Sequence, residues 1–134
     1  MDELTKIPGD TNYRNVYLSD LRQVLNIYVE TETYQVPEKH SLPAKKLTEQ
    51  FGLPLAIVES KDELIGFASA KMNDLKKVEF TSYYKKGISK TEIQPILEQL
   101  AQSTFNATFK SQPQPEKKLE YAAQKLAAWL NKCL

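Results

Sequence analysis

Cysteine, histidine, tryptophan and glycine are all scarce in this chain: one Cys, one His, one Trp and four Gly among 134 residues. The lone Cys133 leaves no internal disulfide to form, and a reducing compartment, the cytoplasm, is the expectation. With His40 and Cys133 the sole residues of their kinds, a zinc cluster is not expected. A Cys–His nucleophilic pair is not expected either. Charge of one sign is also missing. Eighteen Lys and Arg stand against seventeen Asp and Glu, a formal net charge of +1, so no global field draws nucleic acid or an anionic membrane surface. No hydrophobic run approaches the length of a membrane span, and the acidic opening Met1–Thr5 lacks the apolar stretch of a secretory signal. What is present fits a single domain over residues 1–134, large enough to bury a core.

Periodicity places the elements. Arg14–Leu18 has short β character. Ser19 then reads as an N-cap for a helix whose apolar face is Leu21, Val24, Leu25 and Tyr28. Thr31–Pro43, with its prolines, reads as a long ordered loop, and Ala44–Phe51 as a shorter helix closed by Gly52 and Pro54. Three strands follow: Leu55–Glu59, Leu64–Met72 and Lys77–Tyr84, joined by turns at Ser60–Glu63 and Asn73–Asp74, which predicts an antiparallel meander. In the last strand Val78, Phe80 and Ser82 share one face, and Glu79, Thr81 and Tyr83 the other.

The run Ser89-Lys-Thr-Glu92 matches a capping box opening a helix with Ile93, Ile96, Leu97, Leu100 and Ala101 on one face. Pro95 is compatible with that helix only in its first turn, which moves the start toward Gln94. Asn106–Lys110 reads as another short strand and Gln112–Pro115 as an extended connector. Glu116–Leu130 is the strongest helical signal, with Leu119, Ala122, Ala123, Leu126, Trp129, Leu130 and Cys133 on one stripe.

The segment with most chemical content is the strand–loop–helix run from Lys77 to Glu92. A strand feeding a helix N-terminus through a glycine turn gathers unpaired backbone N–H groups and the positive end of the helix dipole. Gly87 allows close backbone approach, and Lys85, Lys86 and Lys90 add positive charge. The expected ligand carries phosphate. The plainer reading is an ordinary strand–loop–helix unit that binds nothing.

Three stretches resemble the GNAT superfamily of acetyl-CoA-dependent N-acetyltransferases, in particular its phosphinothricin-acetyltransferase-like branch. They are Leu18–Tyr28, Leu55–Ala70, and Val78–Tyr83 with Gly87–Lys90. The resemblance implies an α/β (α+β) fold with a mixed, mostly antiparallel sheet flanked by helices. It implies coenzyme A contacts along Thr81, Ser82, Lys85, Lys86, Gly87, Ile88, Ser89 and Lys90. In the family's pyrophosphate loop register, Tyr84-Lys-Lys-Gly-Ile-Ser89 keeps the central glycine, with Tyr in the first position and Ser in the last. It also follows its strand directly. The resemblance further implies Glu79 as the base that deprotonates an amine acceptor and Tyr121 as the acid for the departing thiolate. Read as residues alone, Glu79 is equally a solvated strand residue, and Tyr121 a helix residue flanking the core.

Family members continue beyond the fourth helix into two more strands, whereas this sequence ends at Leu134. The expected form is therefore C-terminally truncated, with the last helix packed over the sheet or buried in a homodimer. Two functions follow: acetyl transfer from acetyl-CoA to a small-molecule amine, or a catalytically inactive GNAT-like binding or interaction module.

Overall fold

In the computed structural model, which describes residues 11–35 and 47–133, four strands form one antiparallel sheet in chain order. They are β1 (Thr11–Asn15), β2 (Leu53–Ser60), β3 (Glu63–Met72) and β4 (Val78–Tyr84). The hairpin between β2 and β3 turns on Lys61 and Asp62, both with positive φ (54° and 66°). A two-residue loop of that handedness matches the right-handed twist of the strands it joins. Asn73 organises the next turn. Its side-chain oxygen accepts from the N–H groups of Leu75 and Lys77 at 2.8 and 3.1 Å.

The register explains how apolar residues reach both faces. A bulge between Val58/Gly66 and Glu59/Leu64 leaves Ile65 without a β2 partner. Leu64 and Phe67, three apart, can therefore both face one core while Ile65 and Ala68 face the other. Gly66 lies directly under the Tyr84 ring, where a Cβ would stand 2.7 Å from the Tyr84 Cδ1. The pair is an aromatic strand residue covering a glycine, and it fixes the two strands side by side.

One face is covered by α1 (Leu21–Gln35), entered through a 3-10 turn at Leu18–Asp20. The other is covered by α2 (Ile93–Phe105), which buries Ile93, Leu97, Ala101 and Phe105. Pro95 falls in the first turn of α2, the one place where its missing N–H costs nothing. The last helix, α3 (Pro115–Cys133), starts with Pro115 as its first residue after Gln114 at φ 52°. It crosses the end of the sheet formed by the start of β2 and the end of β3. Leu119 joins the core on the α2 side, and Leu130 the core on the α1 side.

Several expectations are corrected. The first strand lies earlier, at Thr11–Asn15, because Asp20 draws the following segment into a 3-10 turn by accepting the Tyr17 N–H at 2.7 Å. Helix α1 continues through Gln35, into the region expected as loop. The rest of that loop, with His40, lies outside the described residues. Of the helix expected at Ala44–Phe51, the described part is a 3-10 turn at Glu49–Phe51. Asn106–Lys110 is not a strand but a π-helical turn continuing α2. Phe109 packs its ring 5.2 Å from that of Phe105 and is buried there, so tertiary packing overrides local β preference. Ile96, expected on the buried face, is 49% exposed, and Trp129 is 47% exposed.

Candidate functional site

The loop after β4 is an ordered turn. The Lys85 N–H donates to Ile65 C=O at 3.0 Å, extending the ladder by one residue, and the Ile88 N–H returns to Lys85 C=O at 3.3 Å. Gly87 supplies the positive φ (87°) that this turn needs, and a Cβ there would meet no atom within 4 Å. Ile88 packs against the α2-side core. Helix α2 does not start on the loop but at Ile93.

Some of the donors that a phosphate would use are committed. The Gln94 N–H donates to Lys90 C=O at 2.9 Å, and Pro95 has no N–H. Lys85 pairs with Glu63. Glu98 accepts from the Ser82 hydroxyl at 2.8 Å and from the Gln94 side-chain amide at 3.0 Å. The start of α2 therefore carries carboxylate character. The loop as folded offers a coenzyme A pyrophosphate fewer donors than its sequence promises.

Beside it, the Tyr84 hydroxyl is buried without a hydrogen-bond partner among the described residues. Burial pushes its pKa up to about 12, with Glu98 and Tyr13 adding to the rise. The nearby Ser82 hydroxyl, committed to Glu98, offsets part of that rise without closing a bond to Tyr84. Tyr13, across the same face, is also raised, first by burial and then by Glu92.

The residue implied as base lies away from the glycine loop, and the one implied as acid faces solvent. Glu79 is exposed on β4, opposite Lys71 of β3. Five residue steps along the strand separate it from Tyr84, roughly 16 Å of extended chain before the loop begins. Thr81 lies on the same face as Glu79, Ser82 on the opposite one. Tyr121 is 61% exposed. It sits two positions from both Leu119 and Ala123, which face the core, so helical geometry turns it away from the sheet. Its ring lies under Lys125, whose Nζ is 5.3 Å from the centroid.

A second concave region lies at the other end of β4. An open groove of about 480 Å³ runs between the start of that strand and the C-terminal end of α2. Val78, Phe80 and Phe105 line it with apolar surface, and Lys76, Lys77 and Lys110 with positive charge; Glu116 is its one carboxylate. Sequence reading missed it. Lys76 and Lys77 are visible as a basic pair before the strand. Lys110 joins them because residues 106–110 are helical.

Among the described residues, no helix is long and apolar enough to cross a membrane. No group of three or more His, Cys, Asp or Glu among them is placed to hold a metal ion. No family model, curated protein or solved structure matches the chain.

Proposed function

We propose that this chain is a binding domain on an acetyltransferase-like frame, which offers the edge of its sheet to a protein partner in place of acetyl transfer. The observation that carries this is the helical state of Asn106–Lys110. With that segment folded onto α2, β4 is the last strand of the sheet among the described residues. In the antiparallel register with β3, the Lys85 N–H points inward to Ile65. The alternate residues Val78, Phe80, Ser82 and Tyr84 therefore direct their backbone N–H and C=O groups outward. Among the described residues, no backbone bond closes this row. An open edge of that length is a template for strand addition.

The second reading is a small N-acetyltransferase acting on an amine, with acetyl-CoA as donor, Glu79 as base and Tyr121 as acid. The order β2, β3, β4, glycine loop, α2 favours it, since it is the order the resemblance requires. Thermal melting with millimolar acetyl-CoA separates the two. A ligand at a hundredfold over its Kd stabilises the native state by about 2.7 kcal/mol. The binding-domain reading expects no rise in melting temperature, for the parent and for Gly87→Asp alike. A rise in the parent that Gly87→Asp abolishes, together with acetylation of an added amine, would overturn it.

A further inference from the structure

The groove beside β4 and the open edge of β4 are one surface. Val78 and Phe80 turn their side chains toward α2 and into the groove. The backbone groups of the same two residues point out along the free edge. A strand laid on this edge would satisfy those groups and drop alternate side chains onto Phe80 and Phe105. The charge around it is mostly positive, three lysines against the single carboxylate of Glu116. Lys76, Lys77 and Lys110 are exposed, and among the described residues none of them is held in an ion pair. The Asn73 turn fixes the first two at the entry of the strand.

The lysines at the two ends of β4 disfavour one occupant. A second copy pairing antiparallel over the full length of β4 centres on Thr81. That register sets Lys77 opposite Lys85 and Lys76 opposite Lys86, at both ends of the pair, and like charges directly opposite are destabilising. Lysine on an edge strand is a known guard against self-association. It is also the complement of an acidic partner.

We propose that β4 receives an extended, acidic segment of a partner protein as a fifth strand, with carboxylates held by Lys76, Lys77 and Lys110 and apolar side chains seated over Phe80 and Phe105. This rests on the binding-domain reading above. It adds the chemistry of the partner and the place where it sits.

The probe is a fluorescent peptide of alternating valine and threonine with three glutamates at one end, made in both chain directions. One of the two is expected to bind, with affinity that falls as salt is raised. Amide exchange at Val78, Phe80, Ser82 and Tyr84 should slow on binding. The triple variant Lys76→Glu, Lys77→Glu, Lys110→Glu changes only exposed side chains and should keep its melting temperature. It should weaken binding by about tenfold or more, as expected when complementary rim charges become repulsive. N-methylation of alternate peptide amides should abolish binding.

Failure of both peptides at millimolar concentration would overturn the proposal. So would binding that survives N-methylation, equal binding of a short single-stranded RNA, or slowed exchange of the same amides through self-association without peptide. The two readings fail separately. Acetyl transfer would remove the binding-domain reading whatever the peptides do, and peptide failure removes this one whatever acetyl-CoA does.

Discussion

Arg14 joins three segments through one guanidinium. It donates to both Asp20 oxygens at 2.9 and 3.0 Å and to Glu59 at 2.8 Å. It thereby ties β1 to β2 and to the turn that opens α1. The Asp20 carboxylate also accepts the Tyr17 N–H, so it caps the turn from inside. Nothing local in the sequence reveals that an arginine six residues earlier will return to Asp20. The Arg14 bonds hold both the Asp20 and the Glu59 carboxyls below their ordinary range. Groups depressed in this way add stability above their unfolded pKa values, near 4, and lose it as pH falls through the folded values. The side chains are only partly exposed, 26% for Arg14 and 10% and 21% for its partners. Arg14→Met should therefore cost about 2 kcal/mol at neutral pH, between a surface and a buried pair. The gap between parent and variant should narrow as pH is lowered from about 5 to about 3. Urea melts across that range check it; a gap constant with pH would show that the pairs add nothing to stability.

Among the elements, the two hairpins were legible because their turn chemistry is local. Lys61-Asp62 and the Asn73 turn punctuate three apolar runs whose order in the sheet follows from chain order. Helix α2 was legible in existence but not in rotation. The expected face included Ile96, whereas the buried row is Ile93, Leu97, Ala101 and Phe105, a strict four-residue spacing that continues to Phe109 through the π-helical turn. That continuation depends on ring packing against Phe105, a circumstance that the β-prone letters Thr108 and Phe109 conceal. The rotation has a measurable consequence. Leu97 is fully buried between β2, β3 and β4, so Leu97→Ala should cost about 2–5 kcal/mol. Ile96→Ala on the outer side should cost less than about 1 kcal/mol, with part of that returned by the better helix propensity of alanine. Equal losses in chemical denaturation would mean that α2 sits rotated by most of a residue from this placement. The candidate site inherits the same limit. Its lysines at 76 and 77 are readable in the sequence, while Lys110 reaches the groove through the turn that sequence reading took for a strand.

For the whole molecule, α3 joins two cores that lie on opposite faces of the sheet. Leu119 packs with the α2 side and Leu130 with the α1 side. Near its C-terminal end, the Asn131 amide donates to Leu47 C=O at 3.0 Å and accepts the Leu47 N–H at 2.9 Å. The stripe read from sequence was close to the observed one, but it assigned Trp129 to the interior in place of Ala127. The difference matters for assembly. Tyr121, Lys125 and Trp129 fall at four-residue spacing on the outer side of α3, and a homodimer through this helix would have to use that ridge. The ridge is broken in the middle by the Lys125 ammonium, and half of the Trp129 surface is already covered within the domain. Leu119→Ala should therefore lower stability by about 2–5 kcal/mol, because it empties a fully buried site in the α2-side core. Trp129→Glu should cost about 1–3 kcal/mol, for the covered half of the ring, and should sediment at the mass of the parent. A parent dimer that Trp129→Glu dissociates would overturn this and assign the ridge to a subunit interface. In that event the carboxylate destabilises the assembly because it must be desolvated against an apolar partner surface.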